Sequence, residues 1–423
     1  MNTLSDIVAL LYDDATPAAP SLPPAVVNEV LETVALVAEA LSSPASNSSS
    51  PPTNGGDDAT AKVENGMVVA ALTAGAELVG VLLTAAETVE ESTAVAATSA
   101  LSSLVGGLQG RLGDVGGTSG TVDSSTNATA ATSSVRSAMR LLAARAVDQL
   151  ITEAVDLLAA AGGGAGASSA PPPPLMLHSA NLNLTLAVSE PAALGDEPFA
   201  CNTASTPVEV VLPTGIMKLL SAAGQGTEDE TVGVVCSVTS FNLHGGTRAN
   251  LAAAGPLVSF SLRQAGAALK VDNLTRPINL TLPHTVPNVG PRPSLASSAT
   301  GGAPYVCAGR PMQQEAAALL EQLLKTNDGS TASEVAELRA SLRGAGCDKA
   351  VECNYWAEST GAWSDANCRT TGVSEASVGC SCDHLTDFIN VVVPTSWDEL
   401  AEYAVDGKPP PPLPWPFARC PVS

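Results

Sequence analysis

Aromatic side chains are scarce in this chain, at 3% of residues, and so are basic ones, 19 Lys and Arg against 42 Asp and Glu. A core short of aromatics is built from small side chains, so each contact buries little area. The formal charge of −23 argues against nucleic acid as a partner, because phosphate binding relies on clustered Lys and Arg. Also missing are a P-loop, a G-x-S-x-G elbow, an H-E-x-x-H helix and a dinucleotide fingerprint. Their absence leaves a turnover enzyme with little support, and no cofactor is expected. Met1 to Asp6 do not form a basic segment leading into a long apolar run, so no secretory leader is read there. A clean membrane span is lacking too. Met67 to Ala86 is apolar enough to tempt, but Glu77 interrupts it and Ala, Gly and Thr dilute it, so a buried or amphipathic helix is expected.

What is present points outside the cell. Of nine cysteines, eight follow residue 230, and their crowding beside Trp and Gly reads as a disulfide framework made in an oxidising compartment. Asn-x-Ser/Thr triplets at Asn47, Asn127, Asn183, Asn273 and Asn279 point the same way. Without a leader or an anchor in view, the expectation is a fragment of an extracellular or cell-surface protein whose signal and span lie outside it.

The 423 residues suit two or three domains. Residues 22–43 read as a helix, with Val26, Val30, Val34, Val37 and Leu41 at helical spacing behind Pro24. Two more helical stretches are expected at 64–92 and 93–109, then a Gly/Ser/Thr-rich linker at 110–133. The best helix covers 134–160, its stripe marked by Val135, Met139, Leu142, Val147, Leu150, Val155 and Leu158, with Arg136 and Arg140 outside it. Pro171 to Pro174 stop helix, and the period then changes from 3.6 to 2. Leu182 to Val188, Val208 to Leu212, Thr231 to Leu243, Leu257 to Leu262 and Ile278 to Leu282 read as short strands of an antiparallel sandwich. Residues 311–343 interrupt with two short helices, the second signalled by Thr331 and Glu334 in capping-box spacing. The fold class is therefore α+β: a helical subdomain at 1–165, a sandwich at 175–395 with a helical insertion at 311–343, and a Pro-rich tail at 396–423.

Chemistry concentrates in Cys353-x2-Trp356-x6-Trp363-x4-Cys368-x11-Cys380-x-Cys382-x-His384-Leu385-Thr386. Four Cys and two Trp in so short a stretch describe a strand-rich unit too small for a large core, stapled by disulfides and filled by indoles. Four cysteines allow three pairings, and spacing does not choose among them. Cys201 with Cys236, and Cys307 with Cys347, are candidate further bridges, which leaves Cys420 over.

Over residues 353–394 the segment resembles the GPS motif of adhesion receptors and polycystin/egg-jelly-receptor-like proteins, down to Cys-Ser-Cys-x-His-Leu-Thr-x-Phe at 380–388. Residues 271–278, Val-Asp-Asn-Leu-Thr-Arg-Pro-Ile, also resemble the start of a family strand. The resemblance implies a GAIN domain, in which a helical subdomain A precedes a β-sandwich subdomain B that ends in the GPS motif. It implies the pairs Cys353–Cys380 and Cys368–Cys382, and self-cleavage between Leu385 and Thr386. Thr386 would be the nucleophile and His384 its base, since a hydroxyl needs a base and an imidazole is suited to that at neutral pH. Two residues apart on a strand, both side chains are expected to project to the same face, and a tight turn beyond His384 would press the hydroxyl against the Leu385 carbonyl. The two pieces would remain together non-covalently. Family members place a membrane span shortly after the cut, and none is read after Leu385 here, so tethered agonism by Thr386 to Asn390 has no visible receiver.

Blander readings stand beside these. The knot could be structural and never cut, or Cys380, Cys382 and His384 could hold zinc, although an oxidising compartment consumes thiols. His178, His244 and His284 have no nucleophile pattern nearby and read as structural or solvent-facing.

Overall fold

Pro24 occupies the first position of helix α1 (Pro24–Ser42), where its missing N–H costs nothing. The computed structural model describes residues 21–42, 58–86, 88–113, 125–160, 173–195, 198–201, 208–244, 252–286, 289–291 and 349–393. Three more helices complete a bundle: α2 (Asp58–Ala85), α3 (Glu91–Gly113) and α4 (Ser125–Ala160). The buried face of α1 is Val27, Leu31, Val34 and Ala38, while Val26 and Val37 are exposed. The expected stripe was thus turned by one residue. The apolar arc, opposite Asn28, Glu29, Glu32 and Glu39, is wide enough to hold both stripes, so the 3.6 period does not choose between them. Helix α4 begins nine residues before the expected start, inside the stretch read as linker, because Ala131 and Thr132 bury against the bundle. Helix α2 is the one described helix long and apolar enough to cross a membrane. In this fold it buries Leu72, Ala76, Leu78, Val79, Leu82 and Leu83 in the bundle core.

Two antiparallel sheets follow. The first runs in the order β1 (Leu175–His178), β2 (Leu182–Ser189), β5 (Val232–Thr239), β6 (Leu257–Gln264), β14 (Asp387–Val393), β10 (Lys349–Ala357) and β11 (Ala362–Ser364). Two short strands flank it: β7 (Ala267–Leu269) pairs with β6, and β9 (Val289–Pro291) lies parallel to β10. The second sheet has the order β12 (Cys368–Val373), β13 (Ser377–Cys382), β8 (Ile278–Pro283), β4 (Val208–Val211) and β3 (Phe199–Cys201). A short helix, α5 (Ile216–Ala222), connects β4 to β5. Alternation in β4 and β8 puts Val208, Val210, Ile278, Leu280 and Leu282 inward, the pattern of a sheet with one wet face. Strand β5 is buried throughout, because helices cover its other side.

Three layers result, with one apolar core between helices and first sheet and another between the two sheets. Strand β14 serves both. Ile389 and Val391 face the helical side, whereas Phe388 packs between the sheets, and all three have no exposed surface. Helix α4 approaches closely at Gly233 of β5, where a Cβ would come within 2.2 Å of Val147 Cγ1. Asn181 ties α3 to the sheet, its backbone N–H donating to Ser102 Oγ (3.0 Å) and its amide to the Ser102 carbonyl (3.1 Å).

Disulfides join Cys201 to Cys236, Cys353 to Cys380 and Cys368 to Cys382. The first two cross from one sheet to the other, and the third staples β12 to β13. Cys307, Cys347, Cys420, the segment 311–343 and the Pro-rich tail lie outside the described residues.

Candidate functional site

Strand β13 belongs to the second sheet and β14 to the first, so the four residues Asp383 to Thr386 carry the chain from one layer to the other. This is a turn and not a strand, so the expectation that His384 and Thr386 share a strand face is corrected. A sequence that alternates through His384-Leu385-Thr386 looks extended, but the change of layer ends the ladder at Cys382 and restarts it at Asp387. Neighbouring backbone holds the turn. Asp383 donates to the Asn367 carbonyl (3.3 Å) and accepts from the Leu274 N–H (2.9 Å). Leu385 donates to Val271 (3.0 Å), and the Thr386 carbonyl accepts from Phe260 (3.2 Å). Leu385 packs, half-buried, against the inter-sheet core.

His384 is buried, its ring centroid 3.6 Å from that of Tyr355 and 6.1 Å from that of Phe388. Its Nδ1 lies 2.6 Å from Asp383 Oδ1. A carboxylate only accepts, so Nδ1 carries the hydrogen, and in the neutral ring Nε2 carries the lone pair. That Nε2 is buried and, among the described residues, bonds to nothing. Thr386 Oγ1 instead donates to the Trp356 carbonyl at 3.1 Å. The structure thus brings nucleophile and base into one turn without joining them by a hydrogen bond. Among the described residues no backbone N–H bonds the Leu385 carbonyl. Asp383, adjacent in sequence, was missed because acidic neighbours are common. The Trp356 carbonyl was beyond sequence reasoning.

Trp363 is buried and packs edge-on to Trp356 at 5.5 Å. Between them sits His244, stacked on Trp356 at 3.9 Å and 5.3 Å from Trp363. It is fully buried. The solvent-facing alternative is therefore corrected for this histidine, as it is for His284, which is buried and donates to the Ser374 carbonyl (3.0 Å). His178 pairs with Asn183 Oδ1 at 3.1 Å.

His244 Nε2 meets Asp387 Oδ2 at 2.5 Å, and Ser259 Oγ donates to the other oxygen. Arg136 donates to His244 Nδ1, and Arg140 lies 3.6 Å from Asp387 Oδ2 and 3.3 Å from Glu358. Burial pushes the Asp387 pKa up, but hydrogen bonds from His244 and Ser259 and the charge of Arg140 outweigh it and hold the pKa below the usual carboxylate range. Burial lowers the His244 pKa, outweighing the raising pull of Asp387, with the two arginines adding to the fall. Only the i, i+4 pair of arginines on α4 hinted at this cluster in the sequence. The 143-residue separation of His244 from Asp387 hid the rest. A cleft of about 780 Å³ opens beside the turn, with Arg140, Tyr355, Glu358, Lys270, Leu385 and Thr386 on its walls.

Cys380 and Cys382 are both in disulfides, so the zinc alternative is corrected: neither sulfur is a free thiolate. Both bridges are those implied by the family resemblance.

Residues 327–389 match the family model described as GPS: GAIN subdomain B. The chain carries a GPS segment. The match begins ahead of residue 353, takes in part of the stretch set apart as an insertion, and ends inside β14. Helices followed by antiparallel sheets around this GPS segment give the α+β order expected of a GAIN domain. Among solved structures the chain is similar to the full extracellular region of zebrafish Gpr126/Adgrg6, at 12% identity and a TM-score of 0.41. The likeness covers 88% of this chain and 36% of that one. No curated protein matches the chain.

Proposed function

We propose that the GPS segment cuts itself between Leu385 and Thr386, and that the chain is the extracellular module of a membrane receptor or channel-like protein. The observation that carries the reading is His384, whose Nδ1 is fixed by Asp383 while a buried, unpartnered Nε2 stands two residues from the Thr386 hydroxyl. A buried nitrogen without a partner is uncommon and suits a group waiting for a proton. In the proposed sequence Thr386 Oγ leaves the Trp356 carbonyl by rotation about Cα–Cβ and gives its proton to Nε2. It attacks the Leu385 carbonyl carbon. The C–N bond then breaks as the nitrogen takes a proton, leaving an ester on Oγ and a free amine on Thr386. Water entering from the cleft splits the ester into the Leu385 carboxylate and the Thr386 hydroxyl. Base and nucleophile sit in one turn, so orientation supplies much of the acceleration, and the site acts once per chain and not as a turnover enzyme.

The pieces remain associated, since β14 lies between β6 and β10 and its removal would expose the paired edges of both. Three disulfides support an oxidising, extracellular setting, and the exposed Asn273 and Asn279 suit glycans. A second reading, an uncleaved structural module, is favoured by the bond that holds the Thr386 hydroxyl on Trp356. Reducing gels of purified protein separate the two. Cleavage yields a short fragment that Thr386→Ala abolishes and His384→Ala slows severely. Cutting unchanged from the wild type in both variants rejects the assigned roles.

A further inference from the structure

One buried carboxylate lies immediately after the nucleophile and plays no part in the chemistry above. We infer that Asp387 is a positioning residue for the Leu385–Thr386 break, and that helix α4 reaches the nucleophile through Arg136, His244 and Asp387. The inference rests on the reading that this bond is cut, and it adds the means by which the helical subdomain controls the cut.

Asp387 is 4% exposed, and a carboxylate so placed is held only by partners that replace its water. Those partners come from three places: His244 from the loop after β5, Ser259 from β6 and Arg140 from α4. Phe260, the next residue of β6, holds the Thr386 carbonyl. The backbone on the C-terminal side of the nucleophile is therefore fixed twice, by its own carbonyl and by the next side chain. This leaves rotation about Cα–Cβ as the freedom that carries the hydroxyl from Trp356 to the Leu385 carbonyl.

His244 joins the helix to that carboxylate in one protonation state only. Its Nδ1 accepts from Arg136 while its Nε2–H donates to Asp387, which the neutral Nε2–H tautomer alone can do. A proton on Nδ1 would face the guanidinium donors and open the contact to α4. The charged groups around His244 are Arg136 and Arg140 on α4, Asp387 on β14 and Glu358 beyond β10, with Ser259 of β6 on the far side of Asp387. Acid thus uncouples the helix from the nucleophile.

The test measures the amount of Thr386 amino terminus formed over time by the full chain, with the melting temperature of each variant recorded. Asp387→Ala and His244→Leu are expected to slow cutting roughly tenfold or more, the scale of a small misplacement of reacting groups. His244→Gln, which offers an acceptor and a donor without titrating, is expected to restore most of the rate. Wild-type rates in Asp387→Ala and His244→Leu overturn the inference, as does a His244→Gln rate no better than that of His244→Leu. Should those variants misfold, nitrogen NMR of Thr386→Ala decides. The His244 imidazole should stay neutral with hydrogen on Nε2 below its ordinary pKa of about 6.5, and protonation at that ordinary pKa, or hydrogen on Nδ1, overturns it. A wild-type chain with no terminus at Thr386 refutes the cleavage reading itself, and with it this inference.

Discussion

Replacing Gly233 by alanine tests the joint that sets α4 on the sheet. An added Cβ would lie 2.2 Å from Val147 Cγ1 and 3.3 Å from Ile151 Cδ1, against the 3.4 Å at which ordinary contact begins. Val147 has no exposed surface, and its β-branched side chain has few rotamers in a helix. Relief must therefore come from moving α4 away from β5 by about an ångström. Overpacking of this kind costs about 1–3 kcal/mol. Alanine recovers a few tenths of that, since it has less backbone freedom to lose than glycine. For a unit of this size each kcal/mol lowers the midpoint by about 2–4 °C, so a fall of roughly 2–10 °C is expected by calorimetry. Gly110 is the control: it lies on α3, is exposed, and has nothing within 4 Å of an added Cβ. There the same substitution should stabilise by about 0.5–1 kcal/mol. If Gly233→Ala is as stable as the wild type, or the two variants shift the same way, the close approach of helix to sheet is wrong. So is the route by which Arg136 and Arg140 reach Asp387.

Phe388→Ala empties a fully buried site between the sheets and should lower stability by about 3–5 kcal/mol, read from urea midpoints; a loss under about 1 kcal/mol contradicts the placement of β14. Removing the Cys201–Cys236 bridge as a double Ala variant should lower stability by about 2–4 kcal/mol, because it joins the two sheets; unchanged unfolding under reducing and oxidising conditions would contradict it. The pH dependence has a definite sign. His244 has its folded pKa below 6.5, so the unfolded chain takes up a proton that the folded one refuses, and stability is lost as pH falls from about 6.5 towards the folded value. Asp387 has its folded pKa below 3.8, so its contribution is full above about 3.8 and is lost as pH falls from there through the lower folded value. His244→Gln should flatten the first of these slopes in urea titrations from pH 8 to 5, and an unaltered slope assigns it to another group.

The order of helices then strands was legible because the hydrophobic period changes after Pro171–Pro174, and β2, β4, β5, β6 and β8 follow their alternating or continuous apolar runs. Which face of α1 turns inward was not legible, since Val26, Val27, Val30, Leu31, Val34 and Val37 offer two overlapping stripes and only the bundle selects one. Strands β1, β3, β7 and β9 were missed. Each is four residues or fewer and owes its conformation to a partner strand. At the site, the His384-Leu385-Thr386 run was readable as a local motif, and both GPS disulfide pairs only through the family resemblance. The layer change at Asp383–Thr386, the Trp356 carbonyl and the His244–Asp387 pair depend on contacts between distant segments, and no local pattern encodes those.

Intact mass of the purified chain, taken under denaturing and reducing conditions after incubation at neutral pH, bears most directly on the central claim. The account predicts two polypeptides, one ending at Leu385 and one beginning with Thr386. A single full-length polypeptide at every time point contradicts it.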